Sequence, residues 1–412
     1  MSVIGWVDYS SLERERVSQV LAMLQEKGTL DELGIGQIRD AFADQLFPGF
    51  STIQTRAKYL VTIPYIFQDY RNLALNERGA LQTFLHQKED ELARVLIANH
   101  AEQIPNGIIG KDSLEQGVSR KPSSVYWNGL RQLSIANTPL SLKEFAQHFE
   151  QQANCCYEQH EEDDKQASNL SHLMTKSAEY QPDWLEKVRI ELTKKEAEFL
   201  KDKLLLSDNI KHSVPAQLVK HNLLKETLSS DAAVANDAWR LEALHTWLGD
   251  KEISSQTQVT LSKALEFSFV IEGAHIRYNY LIANRAKNFT HAEKINDEFE
   301  HWLNQANSFP ERFRQQSIDD WYYCAFEERS RANHRTRTFI ENWCHLIRDK
   351  AKVEELDRCV EKQAIANKGA RCLLKKALPE NQGWVGMRRL EYRWPTVKVI
   401  LQDIQEGLNA SA

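Results

Sequence analysis

Hydrophobic positions recur along this chain at intervals of three and four residues, the period of helices that bury one face. Ile38, Ala41, Phe42 and Leu46 carry that spacing, as do Leu85, Leu92, Val95 and Leu96, then Tyr126, Leu130 and Leu133. Leu192, Ala197, Leu200 and Leu204 resume it up to a break at Val214-Pro215. The pattern predicts a mainly α, multi-helical fold. Strand is expected only in short pieces near the N-terminus, with Val3–Tyr9 as the one β-like run and Ser10 or Ser11 as the cap of the helix after it. Leu261 to Arg285 differs from every other segment because it is apolar nearly all round, with Leu265, Phe267, Phe269, Val270, Ile271 and Ile276. Such a helix is expected at the centre of its domain, with Phe269 and Ile271 buried.

Between Leu30 and Tyr70 two helical patterns meet at Phe47-Pro48-Gly49. Proline fixes φ at the second position of a turn and glycine supplies a positive φ at the third, so the first helix should stop there. Ser51 or Thr52 is placed to cap the next, whose buried face would carry Ile53, Ala57, Leu60 and Val61, with Pro64 removing a backbone donor. Two helices around a short glycine-containing turn have the outline of a helix-turn-helix. Thr52, Gln54, Thr55, Arg56 and Lys58 are side-chain types that contact bases or phosphates. An ordinary helical hairpin with its polar residues in water has the same outline.

A chain of 412 residues has room for two or more domains. The expected division is an N-terminal helical domain over 1–150 that contains the hairpin, an acidic linker over 151–182 around Glu161-Glu162-Asp163-Asp164, and a C-terminal helical domain over 183–412. No window approaches the ~18 apolar residues that cross a bilayer, and the N-terminus lacks a signal-peptide pattern. A cytoplasmic protein without a membrane partner is therefore expected. The six cysteines show no C-x-x-C spacing and read as free thiols. A zinc site from Cys324, Cys344, His345 and Cys359 would need scattered ligands, and no motif implies a metal or cofactor.

The net charge of −6 excludes a wholly basic nucleic-acid binder and directs attention to local clusters. Arg329, Arg331, Arg335 and Arg337 fall within nine residues, and near the start of a helix they call for an anionic partner. From Gln363 to Val399, eight basic residues against two acidic give +6, among them Lys375, Lys376, Arg388, Arg389 and Arg393, interleaved with Trp384, Tyr392 and Trp394. Arg120 and Lys121 stand beside Tyr126 and Trp127 in a third, milder cluster. With Arg56, these form the candidate nucleic-acid surface. The weak catalytic candidates are Glu272, His275 and Arg277, ionisable groups on the otherwise apolar helix, where His275 would serve as acid or base. A satisfied structural network uses the same residues. Walker A, H-E-x-x-H and G-x-S-x-G spacings are absent, which excludes only familiar enzyme solutions.

Six segments, GWVDYS, DELGIGQIRDAF, LFPGFSTIQTRAKY, PSSVYWNGL, FSFVIEGAHIRYNY and RLEYRW, occur in that order over most of the chain. In these the sequence resembles an uncharacterised bacterial family catalogued as a domain of unknown function. The resemblance implies a setting in mobile and phage-defence gene clusters beside helicases and phospholipase-D-like nucleases. It supplies no catalytic residues. The leading expectation is a non-catalytic, DNA-engaging or adaptor subunit of a bacterial antiphage complex, with DNA and a helicase or nuclease from the same cluster as partners. A nuclease or other phosphodiesterase with a dispersed active site is the first alternative. A scaffold that binds only protein is the second.

Overall fold

The computed structural model describes residues 31–112, 120–158, 173–228, 240–326 and 333–410. The expected strand Val3–Tyr9, the helix after it, the run Glu161–Asp164 and Arg331 lie outside the described residues. Within them the protein is mainly helical, and the one β feature is an isolated antiparallel bridge between Ala136 and Met174. In chain order the main helices are α1 (Gly36–Leu46), α2 (Tyr59–Asn72), α3 (Leu81–Ala98), α4 (Pro122–Gln132), α5 (Leu142–Glu158), α6 (Lys194–Leu206) and α7 (Val214–Lys220). They continue as α8 (Leu241–Leu248), α9 (Ser255–Arg285), α10 (Phe289–Ser308), α11 (Gln315–Phe326), α12 (His334–Arg348), α13 (Val353–Lys368) and α14 (Trp394–Asn409). None of the described helices is long and apolar enough to cross a membrane.

The chain forms two compact units that interleave in sequence. The described residues of Phe47–Trp239 and Arg393–Ala412 make one, and those of Val20–Leu46 and Arg240–Tyr392 make the other. In the first, α2 is buried along most of its length. Phe67 on α2 meets Phe145 and Phe149 of α5 edge-on, with ring centroids 5.5 and 5.3 Å apart, and Trp127 of α4 packs on Phe145 at 5.0 Å. Aromatic pairs in these geometries add to the apolar burial that holds helices together. Pro64 stands inside α2, as its position in the pattern implied. The Val214-Pro215 pair that interrupts the earlier pattern starts a new helix, because Ser213 accepts a hydrogen bond from the Ala216 amide and proline occupies the first turn of α7.

The turn at Phe47-Pro48-Gly49 forms as expected, with φ of +84° at Gly49 and the Phe50 amide donating to the Phe47 carbonyl. The helix after it does not begin at Ser51 or Thr52. Residues 50–58 run irregularly and α2 starts at Tyr59. Distant partners hold this stretch out of a helix: the Tyr126 hydroxyl accepts from the amides of Thr55 and Arg56 at 2.7 and 3.0 Å, and Asp403 accepts from the Ala57 amide at 2.8 Å. Those backbone donors are satisfied without helical bonds, so a local capping preference is overridden.

A buried carboxyl joins α3 to α4. Glu89 is 1% exposed, its Oε1 accepts from the Ser123 amide at the start of α4, and its Oε2 has no hydrogen-bond partner. Burial raises its pKa from 4.5 to about 7. Below about 4.5 the group is protonated in both folded and unfolded chains. As pH rises from there towards about 7, the unfolded chain releases the proton while the folded one keeps it. Stability therefore falls through that window and stays lower above it, by roughly 3 kcal/mol at most. Glu89→Gln removes this dependence, so between about pH 5 and pH 8 its denaturation midpoint should fall less than that of the wild type. Equal pH responses in the two proteins would show that Glu89 is not the titrating group.

In the second unit α9 is central, as its all-round apolar pattern predicts, with Phe269 5% and Ile271 0% exposed. Trp302 of α10 and Trp343 of α12 donate their indole N–H groups to the carbonyls of Phe269 and Val270, at 2.9 and 3.0 Å. Gly273 faces Trp302: a Cβ built there would lie 2.4 Å from the ring. The missing side chain is what allows α10 this close. Phe42 of α1 packs against Phe267 and against Tyr392, with centroids 6.0 and 6.1 Å apart.

Candidate nucleic-acid interface

The three weak catalytic candidates share α9 but not an environment. Arg277, 1% exposed, grips both oxygens of Asp357 at 2.7 Å, donates to Asn296 at 2.8 Å and lies over the ring of Tyr280. Each nitrogen of that guanidinium has a partner. Glu272 accepts from Nε of Arg389 at 2.7 Å, and burial holds its carboxyl above its ordinary range. His275 is buried, its Nδ1 has no hydrogen-bond partner, and burial pushes its pKa down to about 4, so the ring is neutral at ordinary pH. The groove of about 330 Å³ in the same unit is lined by His245, Leu248, Ile253, Val259 and their neighbours, and by none of these three. Among the described residues no group of three or more His, Cys, Asp or Glu is arranged to hold a metal ion, and Cys324, Cys344, Cys359 and Cys372 are free.

Several of the candidate nucleic-acid residues are held by acids of their own unit. Arg56 binds Asp403 through Nε at 2.9 and 3.0 Å and through a second nitrogen at 2.8 Å. Its neighbours are also engaged, Gln54 with the Gly49 carbonyl, Thr55 with the Gly107 carbonyl and Lys58 with Glu196 at 2.7 Å. Lys121 pairs with Asp90. Arg120 and Arg393 are half-buried, and Arg393 donates to the Phe47 carbonyl. Near the start of α12, Arg337 pairs with Asp319 and Glu341 and covers Tyr322, which supplies the anionic partner that position calls for.

Residues 385–392 form a strap laced to its own unit. The amide of Val385 donates to Oδ1 of Asn279 at 2.7 Å, and the Val385 carbonyl accepts from Nδ2 of Asn279 at 3.0 Å in return. The Leu390 amide donates to Ser268 and the Tyr392 hydroxyl to the Ala264 carbonyl, at 2.7 and 2.6 Å. Arg388 pairs with Glu298 and lies over Trp384, and Arg389 pairs with Glu272 and Glu242. These two arginines thus tie the strap to α8, α9 and α10.

A different set of cations in this unit is exposed and has no carboxylate within ion-pair distance among the described residues. It comprises Lys375 and Lys376, together with Arg285 and Lys287 after α9, Lys368 at the end of α13, Arg371 in the short turn that follows, and Arg335. All are exposed except Lys368, which is half-exposed. They lie along connected backbone. Arg285 donates to the Lys376 carbonyl at 3.3 Å, Asn288 donates to the Glu380 carbonyl at 3.0 Å, and Arg335 donates to the Ala366 carbonyl at 3.1 Å. Two acid-free stretches supply the surface: no Asp or Glu occurs between Gly273 and Ala292, or between Lys362 and Pro379. Of the nearby acids, Asp31 and Glu32 are turned to structural use, capping Ile35 and Gly36 in one case and binding Tyr278 and Leu373 in the other, and Glu380 is exposed at the end of the second stretch.

Sequence reading named Lys375, Lys376 and Arg335 and missed Arg285 and Lys287, because the helix that ends there announces itself as core. The available signal was the long acid-free run closing on two cations. Comparison with curated proteins and with solved structures gives no match. The model of a family described as a family of unknown function, DUF6361, matches residues 1–407, and the chain therefore belongs to that family.

Proposed function

We propose that this protein is a non-catalytic subunit that engages nucleic acid by its phosphate backbone, through the exposed cations Arg285, Lys287, Arg335, Lys368, Arg371, Lys375 and Lys376. The observation that carries the reading is their lack of carboxylate partners in a chain whose net charge is −6 and whose other candidate arginines are largely paired. Cations at helix C-termini are stabilising, by ~0.3–1 kcal/mol each. That explains Arg285 and Lys368, one at the end of each of two helices, and Arg335 has the Ala366 carbonyl as its partner, which leaves Lys287, Arg371, Lys375 and Lys376 without a side-chain partner among the described residues. Lysine and arginine displayed in number on one surface suit a polyanion, since each phosphate they neutralise releases condensed counterions. The biological setting, a bacterial antiphage complex with a helicase or nuclease as neighbour, is the one the family resemblance implies.

The test is binding of labelled duplex and single-stranded DNA, and of RNA, at low salt. The triple variant Arg371→Glu/Lys375→Glu/Lys376→Glu is expected to bind at least about tenfold more weakly than the wild type. Arg388→Gln, which touches a clamped arginine, should bind as the wild type does. Equal affinity in the triple variant, or no binding by the wild type, would reject the proposal and leave the protein-only scaffold.

A further inference from the structure

We infer that the preferred ligand of this surface is single-stranded nucleic acid, with Phe289 as a stacking platform for a base. The inference rests on the phosphate-binding reading above and adds an independent observation. Phe289 is the first residue of α10 and is 68% exposed, in a unit that buries Phe42, Phe267, Phe269, Phe299 and Phe313. Its backbone is fixed from both sides. Lys287 adopts a left-handed φ of +60° that reverses the chain between α9 and α10, and the Asn288 carboxamide accepts from the His291 amide at 3.1 Å while donating to the Glu380 carbonyl. A ring on so constrained a turn loses little freedom when something lies against it.

Its surroundings select the ligand. Lys287 precedes it by two residues and Arg285, which donates to the Lys376 carbonyl, by four, while Asn288 donates to the carbonyl of Glu380, four residues beyond Lys376. An exposed ring on the turn that carries the unpaired cations Arg285 and Lys287 suits a chain that offers both phosphates and unstacked π faces. Duplex DNA hides those faces, and reading its major groove takes a helix or ribbon presented lengthwise. The cations here come from helix ends and short turns.

A short oligothymidylate and an abasic oligomer of equal length carry the same phosphates and differ only in bases, so they separate stacking from charge. The wild type is expected to bind the oligothymidylate about tenfold more tightly than the abasic strand. Phe289→Ala should bind the two alike, at the wild type's abasic affinity, with its helical circular dichroism unchanged because the side chain is exposed. Lys375→Glu/Lys376→Glu should weaken both. Equal wild-type affinity for the two strands, or full retention of the preference in Phe289→Ala, would overturn the stacking role while the lysine effect leaves phosphate binding standing. Binding of neither strand, or indifference to the lysine reversals, would overturn both.

Discussion

Replacing Gly273 with alanine is expected to destabilise the unit built on α9 by about 2 kcal/mol or more, although alanine is the better helix former by ~1 kcal/mol. The added Cβ would meet three ring atoms of Trp302 at 2.4–2.5 Å, where real side chains do not come. Trp302 has little room to yield. It is 3% exposed, stacks on Phe299 at 5.5 Å and donates to the Phe269 carbonyl, so a shift breaks a buried hydrogen bond as well as the packing. Trp302→Leu in the alanine background removes the clash at the cost of a cavity, and the pair should be less destabilised than the sum of the two single changes. Strict additivity in denaturant unfolding would mean that Gly273 and Trp302 do not constrain each other.

Arg277→Met is expected to cost about 3–5 kcal/mol, the penalty for stranding one half of a buried pair. Asp357 would lose both hydrogen bonds from the guanidinium, and Asn296 would lose its donor. The double variant Arg277→Met/Asp357→Leu should recover much of the loss, because an apolar pair of similar volume needs no desolvated charge. Such recovery would assign Arg277 to the fold. A double variant as unstable as Arg277→Met alone would show that the carboxylate is not its essential partner.

Sequence alone disclosed the features that depend on neighbours a few residues away. The all-round apolar run of α9 and the turn at Gly49 are of this kind, since period and backbone preference are local properties. What it could not disclose depends on partners far along the chain. Residues 51–58 carry good helix-capping chemistry, yet the hydroxyl of Tyr126 and the carboxylate of Asp403, the latter 346 residues from Ala57, decide their conformation. The same limit governed the site. Arg388 and Lys375 count equally in a tally of charge, but Glu298 occupies the first and no carboxylate occupies the second. Phe289 drew no notice because one exposed aromatic is indistinguishable, in a string of letters, from the buried ones around it.

The most direct test of phosphate binding is the salt dependence of affinity, compared between the wild type and Arg371→Gln/Lys375→Gln/Lys376→Gln. Each phosphate contact contributes about −0.9 to the slope of log affinity against log salt on duplex DNA, and about −0.7 on a single strand. Loss of three contacts should therefore flatten the slope by roughly 2–3. A steep wild-type slope that flattens by this amount is the expected result. Parallel slopes in the two proteins would place any phosphate contacts elsewhere and contradict the assignment of this surface.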